Sequence, residues 1–503
     1  MQMHYQDYYE SVLGGWFGKF IGSTLGAPLE GEKMLHNRTY YDKVPDAAAW
    51  NDDNDFQVLW LMLLEKLGPN LNARNMAKYF REQITYPWNE YGYARKNWDQ
   101  AIWPPVSGWF NNDYFRNSMG CPVRSEIWAF VYPSQPDLAV KYARMDASLD
   151  HAEESIEAEA FLAAIESLLF EEKDIETLIC KGLEWINPNS HMAEMVRRCM
   201  DLHKRGVAWE LARHTVLNRY GNPDFTAVLQ NHSLIILALL YGEGDFERSI
   251  LLALNGGYDS DCTCATVGAI LGAVIGAGAI PAKWKDPLNN TFKACLRKMH
   301  VLKISEFAER TCRMGLQLLK RSGEDVQIVG ASEVNMLTAG LDNAPVQVEF
   351  EYDDLPALRP GVMRTVTIVL ANRTNKDVAC ELAVASPQPF ISVSIKEARL
   401  QIAKNSEIRI PVTIDISQPV ETLPQTNHFS VTIRQGNTLL CEEIFGLAGE
   451  HYWEAFGAFW DVYDRKNIPS WVMNAHKGAD LPPWDCMFAN EINIDKAYLD
   501  ESA

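Results

Sequence analysis

The sequence has too few basic residues to balance its acidic ones. Lys and Arg together number 46, against 66 Asp and Glu, which gives a formal net charge of −20 over 503 residues. A protein that binds a polyanion needs a surplus of Lys and Arg to displace counterions from the phosphates. The composition therefore argues against nucleic acid as a partner.

Long apolar runs are also missing. The most membrane-like segment, residues 265–280 (ATVGAILGAVIGAGAI), is shorter than the ~20 apolar residues that a spanning helix needs. The residues after Met1 show no basic stretch followed by an apolar one, so no secretory signal is predicted. We therefore expect no membrane partner and a cytoplasmic location.

Cysteine motifs are absent as well. The ten cysteines are scattered along the chain, without a CxxC pair or a dense framework. Secreted disulfide scaffolds and the common structural zinc sites both depend on such patterns. The cysteines are therefore expected to be reduced thiols.

What is present divides the chain into regions. A chain of this length is too long for one ordinary core. Residues 1–325 repeat apolar residues at helix spacing and predict an all-α domain. Residues 326–345 are polar and irregular, typical of a linker. Residues 346–449 predict an immunoglobulin-like β-sandwich, and residues 450–503 form an aromatic tail that we expect to pack on the core.

The prediction of the β-sandwich depends on short runs rich in Val, Ile and Thr, separated by turn residues. Residues 372–375 and 435–437 are interpreted as hairpin turns between such runs. The runs are VQVEFEY, RTVTIVLAN, ACELAVA, FISVSI, ARLQIA, EIRIPVTIDI, FSVTIRQ and LLCEEIF.

Two helical segments carry glycines at a spacing that needs a packing reason. A glycine costs about 1 kcal/mol relative to alanine inside a helix, so several on one face predict the close approach of a neighbouring helix. The first face consists of Gly14, Gly15, Gly18 and Gly22, and the second of Gly268, Gly272 and Gly276. Residues 56–64 and 234–240 are apolar nearly all round, which predicts buried helices.

Two acidic clusters, Asn51-Asp52-Asp53 and Asp259-Ser260-Asp261-Cys262, stand before buried helices. Helix capping would explain each of them, since such side chains accept the free N–H groups of a first turn. A bound cation would also explain them, because uncompensated carboxylates beside apolar segments are costly, and an extended Asp-x-Asp turn points both to one side. These two interpretations remain open on spacing alone.

Three regions of the sequence resemble the signature regions of the ADP-ribosylglycohydrolase family, in the family's order. They are GGWFGKFIGSTLGAPLEG, DDNDFQ and GGYDSDCTCATVGAILGAVIGAGAIPAKW, and the resemblance spans roughly residues 8–315. The segments between them, such as EYGYARKNW and MGCPVRSEIWAF, are similar to the larger bacterial members. The resemblance implies an all-α fold with two Mg²⁺ or Mn²⁺ ions.

By that resemblance, six positions are the expected metal ligands: Asn51, Asp52, Asp53, Asp259, Asp261 and Cys262. Glu30 matches an acidic residue near the metals, so Glu30, Asp53 and Asp261 are the candidates for the catalytic base. Asn51 and Cys262 stand where Thr is usual, and Ser23 replaces a frequent Asp. Because a thiol is a poor partner for Mg²⁺, one or two ions are expected.

Four further residues in family-like strings are candidates for substrate binding: Arg124, Glu126, His151 and Asn231. Arg offers a planar fork for phosphate or sugar hydroxyls. A buried structural ion pair would explain Arg124 and Glu126 equally well. A lone His in a helical core is more often a hydrogen-bonded packing residue.

The sequence therefore predicts a metal-dependent hydrolase of glycosidic bonds that acts on a small molecule or on a sugar-modified substrate. The resemblance implies removal of N- or O-linked ADP-ribose as the first function. A glycoside or nucleoside hydrolase is the alternative among enzymes. A catalytically silent ADP-ribose-binding or sugar-binding protein is the alternative from another class, because Asn51, Ser23 and Cys262 depart from the family pattern.

Overall fold

The computed structural model describes residues 2–87, 89–322, 326–331, 345–396, 398–417 and 423–449. The predicted aromatic tail at 450–503 and most of the predicted linker lie outside these residues. We call residues 2–322 the helical region and residues 345–449 the β-rich region.

The helical region consists mainly of packed α-helices. The segments predicted to be buried helices lie within α2 and α11, where almost every side chain from Phe56 to Leu64 and from Leu234 to Leu240 is buried. The helices are α1 (Tyr5–Gly26), α2 (Asp52–Leu67), α3 (Ala73–Gln83), α4 (Asn89–Asp99), α5 (Ser125–Val131), α6 (Pro136–Ala147), α7 (Glu153–Leu168), α8 (Ile175–Gly182), α9 (His191–Lys204), α10 (Trp209–Tyr220), α11 (Val228–Tyr241), α12 (Phe246–Gly256), α13 (Ser260–Ile275), α14 (Ala282–Lys285) and α15 (Ile304–Ser322).

The two predicted glycine faces pack against each other. A Cβ on Gly18 would lie 1.8 Å from the carbonyl oxygen of Gly268, and one on Gly26 would lie 2.2 Å from that of Ser260. Each step of four residues along α1 is thus matched by a step back along α13, so the helices run antiparallel. There are two exceptions: Gly15 faces the ring of Phe130, and Gly276 ends α13 at a positive φ of 79°. The register brings the end of α1 beside the start of α13.

The prediction that residues 1–325 are all-α is wrong in two places, at residues 2–4 and 291–303. Residues 291–303 form a hairpin of β2 (Thr291–Leu296) and β3 (Lys298–Lys303). β2 alternates buried and half-buried residues, but β3 is mostly exposed, so only one strand of the hairpin carries a clear apolar alternation. In the predicted linker, β4 (Gln327–Val329) pairs in parallel with β1 (Gln2–His4), a long-range contact that no local pattern signals.

Every predicted run of the β-rich region overlaps a strand. One sheet has the order β10-β8-β12-β13-β6 and the other β5-β7-β11-β9. The sheets share an apolar core, in which the ring centroid of Phe350 lies 5.1 Å from that of Phe445. The strands are β5 (Val346–Tyr352), β6 (Ala357–Leu358), β7 (Arg364–Asn372), β8 (Val378–Ala385), β9 (Ile391–Ile395), β10 (Arg399–Ile402), β11 (Ser406–Ile416), β12 (Thr426–Gln435) and β13 (Thr438–Gly449).

One of the two predicted hairpin turns is wrong. Residues 435–437 do join the antiparallel pair β12 and β13. Residues 372–375 instead connect β7 to β8, which belong to different sheets. The Asn372 carboxamide makes a local turn with Thr374, but it also donates to the carbonyl of Ile402 at 3.2 Å, which lies beyond the reach of a local pattern.

The β-rich region packs on the segment around α3 and α4. The indole of Trp103 donates to the carbonyl of Ile444 at 2.7 Å, and the amide of Gly446 donates to the carbonyl of Ala101 at 2.8 Å. Arg74 on α3 pairs with Glu443 at 2.8 Å. Both β13 and the loop after α4 therefore belong to one interface.

Within the described residues, no helix combines the length and apolar character needed to cross a bilayer.

Candidate active site

The α1–α13 packing sets the position of three carboxylates. Glu30 follows the end of α1, and Asp259 and Asp261 stand at the start of α13. Two backbone hydrogen bonds join the segments directly: Gly31 N–H to Tyr258 O and Tyr258 N–H to Glu32 O, each 2.9 Å. Gly257 allows this approach, since a Cβ there would lie 2.3 Å from the carbonyl oxygen of Met34.

Asn51 links the two predicted acidic clusters. It is the N-cap of α2, and its carboxamide oxygen accepts the amide of Asp53 at 2.9 Å. Its Nδ2 donates to Asp261 Oδ2 at 2.8 Å. The capping interpretation is therefore correct for Asn51. Asp259 is also at an N-cap position, but its side chain makes no capping hydrogen bond. Capping thus does not explain Asp259.

The geometry of the second cluster differs from the prediction. Asp261 lies in the first turn of α13 rather than in an extended turn, because the helix already begins at Ser260. Asp259 and Asp261 are still close together, because each offers one carboxylate oxygen within 4.8 Å of the other and of Glu30.

Two groups of side chains in this cluster offer donor atoms close enough for one cation. Glu30, Asp259 and Asp261 form the first, which we call the oxygen half. Asp53, Asp261 and Cys262 form the second, which we call the thiol half. In each half one donor atom per residue lies within 4.8 Å of the others. Asp261 belongs to both.

Buried carboxylate oxygens in the cluster lack protein partners. Asp53 and Asp261 are only 2 % and 4 % exposed. Asp53 Oδ2 and Asp261 Oδ1 have no hydrogen-bond partner among the residues that the structure describes. A buried acceptor without a partner is costly and rare. These two oxygens therefore fit a site that takes up a cation.

Mutual repulsion and burial raise the pKa values in the cluster. Burial, followed by the nearby Asp261, raises the pKa values of Asp53 and Asp259 well above their usual range. The Asp261 carboxylate, together with burial, raises the pKa of Glu30 to about 8. Glu30 is the solvent-exposed member of its group. The cluster therefore disfavours full ionisation unless positive charge is supplied.

Lys19 is a buried cation beside the cluster that sequence reasoning missed. Its ammonium donates to Glu126 Oε1 at 2.8 Å and to the carbonyl of Val123 at 2.9 Å. Burial acts to lower the pKa of Lys19, but the carboxylates of Glu126 and Asp53 outweigh it and raise the pKa. A single Lys inside the glycine-rich, apolar α1 was the available signal.

Arg124 and His151 lie in a separate buried network. The Arg124 guanidinium binds both oxygens of Asp150, at 2.7 and 2.9 Å, and contacts Asp146 Oδ1 at 3.2 Å. His151 Nδ1 lies 2.7 Å from Asp150 Oδ1. This is the structural ion pair that the sequence left open as an alternative.

Asn231 holds the second cluster in place. Its carboxamide oxygen accepts the amide of Asp259 at 3.1 Å, while its Nδ2 donates to the carbonyl of Phe225 at 2.7 Å. Arg124, Glu126, His151 and Asn231 are all fully buried and bonded to protein groups. The structure does not bring these four to an open surface, and their contact with substrate stays a prediction.

Asp52 and Asp55 flank the site differently. Asp52 lies 3.4 Å from the hydroxyl of Tyr91 on α4 and, like Asn51, is a ligand candidate outside both metal-binding groups. Asp55 accepts from the amide of Cys295 at 2.7 Å and from the hydroxyl of Tyr86 at 3.0 Å. Asp55 therefore anchors the β2–β3 hairpin to α2.

The comparison with protein families matches this part of the chain. The family model described as ADP-ribosylglycohydrolase matches residues 4–317. The chain belongs to the ADP-ribosylglycohydrolase family. Membership supports hydrolysis of glycosidic bonds as the general activity, and it confirms the resemblance seen in the sequence.

Individual relatives add little about activity. An uncharacterized protein from Archaeoglobus fulgidus is 25% identical over 294 residues, which cover 54% of this chain and 90% of the relative. Among solved structures, a FixG-related protein from Vibrio parahaemolyticus matches 21% of this chain and 97% of its own, with 12% identity and a TM-score of 0.18. The Pseudomonas fluorescens alkylpurine DNA glycosylase AlkC matches 64% of this chain and 97% of its own, with 11% identity and a TM-score of 0.13.

The residues present fit a divalent cation in the oxygen half. The three carboxylates Glu30, Asp259 and Asp261, of which Asp261 has a buried oxygen without a partner, are a hard-oxygen donor set that suits Mg²⁺ or Mn²⁺. In the thiol half, Cys262 stands where the family resemblance implies a hydroxyl. Mg²⁺ fits that half poorly.

Proposed function

We propose that this ADP-ribosylglycohydrolase family member hydrolyses a glycosidic bond with a divalent cation held by Glu30, Asp259 and Asp261. The observation that carries this proposal is a group of three neighbouring carboxylates that includes the buried, unpartnered Oδ1 of Asp261. When bound, the cation orients the hydroxyl groups of a sugar and stabilises charge on the leaving side.

The chain's own residues perform the proton transfer. Glu30 is the candidate base that solvent reaches directly, while Asp53 and Asp261 are nearly enclosed. A carboxylate that accepts a proton from the attacking water lets the water oxygen bond to the anomeric carbon as the glycosidic bond breaks. The leaving group takes up a proton in return. Asn51 fixes Asp261, and Asn231 fixes the backbone of Asp259.

Removal of N- or O-linked ADP-ribose is the first choice of reaction, because it is what the family name states. A glycoside or nucleoside hydrolase is the second candidate. It is favoured by the β-rich region that packs beside the helical region, since carbohydrate-active enzymes often carry such modules. The immunoglobulin-like arrangement of that region, the domain boundaries and the cytoplasmic location stay predictions.

A silent binding protein is the third candidate, and Cys262 is the feature that favours it. The pocket would then hold ADP-ribose or a sugar without cleaving it. A stoichiometric complex that releases no sugar would identify this case.

A substrate screen separates the three. The protein is incubated with ADP-ribosylated peptides, nucleosides and aryl glycosides, with Mg²⁺, Mn²⁺ or chelator, and sugar release is followed. We expect metal-dependent release of ADP-ribose and, at saturating metal so that the loss of a cation ligand is compensated, a fall of roughly 100-fold or more in kcat for Glu30→Gln, the usual size of a lost general base.

The control is Asp137→Asn, which removes an exposed carboxylate in the first turn of α6 and should keep full activity. Turnover of aryl glycosides alone would reject ADP-ribose removal and favour a glycoside hydrolase. Equal turnover with metal and with chelator would refute the mechanism.

A further inference from the structure

The two halves of the site have different donor atoms. The oxygen half offers carboxylates alone, whereas the thiol half adds the sulfur of Cys262 to Asp53 and Asp261. Carboxylate oxygens are suited to Mg²⁺, Ca²⁺ or Mn²⁺, while thiolate ligands select softer ions such as Zn²⁺. The donor sets therefore point to two different cations.

The contacts of Cys262 set it apart from other buried cysteines of the helical region. Its sulfur lies 3.7 Å from Asp53 Oδ1, a carboxylate oxygen. Three other buried cysteines place their sulfur 3.4 to 3.8 Å from backbone carbonyl oxygens instead, namely Cys121, Cys199 and Cys264. A thiol aimed at a carboxylate is a potential ligand pair, whereas a thiol aimed at a carbonyl is ordinary packing.

The thiol half also has acceptors without partners. Asp53 Oδ2 and Asp261 Oδ1 are each without a hydrogen-bond partner in the described residues, and both side chains are nearly enclosed. Mg²⁺ keeps several waters and demands oxygen ligands. Zn²⁺ accepts mixed sulfur and oxygen ligands in a tetrahedral set of four. The thiol half is enclosed and offers three ligands, one of them a sulfur, so it suits Zn²⁺ better than Mg²⁺.

We propose that the site is chemically asymmetric, with a hard cation in the oxygen half and a softer, Zn²⁺-like cation bound by Cys262, Asp53 and Asp261. As the metal–sulfur bond forms, the S–H bond breaks and the proton passes to the solvent. This inference rests on the metal site of the proposed function but is independent of the substrate.

Cobalt is a direct probe, because a Co²⁺–thiolate bond gives a near-ultraviolet charge-transfer absorption that Co²⁺–carboxylate bonds lack. The chelator-treated full chain is titrated with Co²⁺ in a Cys180→Ser, Cys486→Ser background, which removes one exposed thiol and one outside the described residues. We expect the band to saturate at one equivalent, and Zn²⁺ to displace it while excess Mg²⁺ does not.

Two substitutions sharpen the test. Cys262→Ser should abolish the band and weaken Zn²⁺ binding by roughly 10-fold to 100-fold or more, since even the loss of a residue that only orients a ligand costs that much. Cys262→Thr should do the same while preserving or improving Mg²⁺ binding. Cys199→Ser is the matched control, a buried thiol outside the site, and should keep the band.

A Co²⁺ complex without the charge-transfer band, or a band that survives Cys262→Ser, overturns the proposal. If the variants do not fold, X-ray absorption of the Zn²⁺-loaded background protein decides instead, because a bound sulfur scatters at about 2.3 Å from zinc. If the protein hydrolyses its substrate with Mg²⁺ but its Co²⁺ complex shows no charge-transfer band, this inference is refuted and the proposed function stands. If the Co²⁺ band is present but no substrate is hydrolysed, the proposed function is refuted and this inference stands.

Discussion

Two of the places where the helical region buries carboxylates treat them in opposite ways. In the network around Arg124, the carboxylates of Asp146 and Asp150 contact a fully buried guanidinium. In the cluster at the start of α13, Asp53 and Asp261 each keep one buried oxygen without a protein partner. Asp146 Oδ1 also lacks a hydrogen bond, but it lies 3.2 Å from the Arg124 guanidinium, so its charge is balanced inside the protein while that of the α13 cluster is not.

The difference separates a structural role from a functional one. Burying a carboxylate without a partner costs several kcal/mol, so an unbalanced cluster persists only if it serves a purpose or binds a compensating charge. The Arg124 network already contains its cation and has no need for another. In the α13 cluster, Lys19 attracts Asp53, but the Lys19 ammonium is bonded to Glu126 instead. The cluster is therefore the place where an external cation is expected.

Removing the internal cation should have the largest effect. Arg124→Met leaves Asp146 and Asp150 buried without a counterion, and we expect a loss of about 3–5 kcal/mol in the free energy of unfolding. Urea denaturation measures this loss, and added Mn²⁺ should not restore it. The control is Arg144→Met, which breaks the part-exposed pair with Glu157 and should cost about 1 kcal/mol or less. Equal costs for the two variants would contradict the comparison.

The external cation should have the next largest effect. Mn²⁺ at 100 times its Kd should raise the free energy of unfolding by about 2.7 kcal/mol, and Asp261→Asn should remove this gain. Without metal, Asp261→Asn should be more stable than the wild type, because Asp261 raises the pKa values of Asp53, Asp259 and Glu30. Thermal unfolding with and without chelator measures both. A metal-free variant less stable than the wild type would mean that the cluster is not repulsive.

A smaller effect is expected at the contact between the two regions. Glu443→Gln removes the counterion of Arg74, which is 5 % exposed, and of Lys78, which is 40 % exposed. We expect a cost of about 1–2 kcal/mol, typical of a lost hydrogen bond to a charged group. Urea denaturation, followed by far-ultraviolet circular dichroism, gives the value. Glu381→Gln is the control, because its pair with Arg399 is exposed on both sides. No difference between the two variants would argue against a stable contact.

The last effect depends on pH and concerns Glu90, a buried acid that is kept protonated at neutral pH. Burial, followed by Asp150, raises its pKa to about 8, from the ordinary 4.5. Its stabilising contribution is complete below about pH 4.5 and is lost as the pH rises through about 8, since the unfolded chain releases the proton first. Glu90→Gln should flatten this decline in urea denaturation between pH 5 and about 9. An unchanged slope would mean that Glu90 is ionised at neutral pH.

Much of the architecture was predictable because it is encoded locally. Alternating apolar residues identified the strands of the β-rich region, since successive side chains of a strand face opposite sides. Glycines at every fourth position predicted two close helix contacts. The fold shows that the glycine faces of α1 and α13 pack against each other. This packing brings Glu30 beside Asp259.

The remaining features depend on contacts between distant residues. The segment 372–375 has the composition of a hairpin turn, but Asn372 is held by carbonyls of another loop and the chain crosses to the second sheet. Arg124 and Glu126 could equally have lined a cleft, and the choice depended on Asp150 and Lys19, which are distant in sequence. The acidic clusters could be located from the sequence, but the division into two unlike halves required the geometry.

Calorimetric titration of the chelator-treated protein with Mn²⁺ tests the central claim most directly, namely that the carboxylate cluster at the start of α13 binds a divalent cation. The account predicts saturable binding that Asp259→Asn abolishes and that Asp137→Asn and Arg144→Met leave unchanged. Absence of binding to the wild type, or binding that persists in Asp259→Asn with the same affinity, would contradict it.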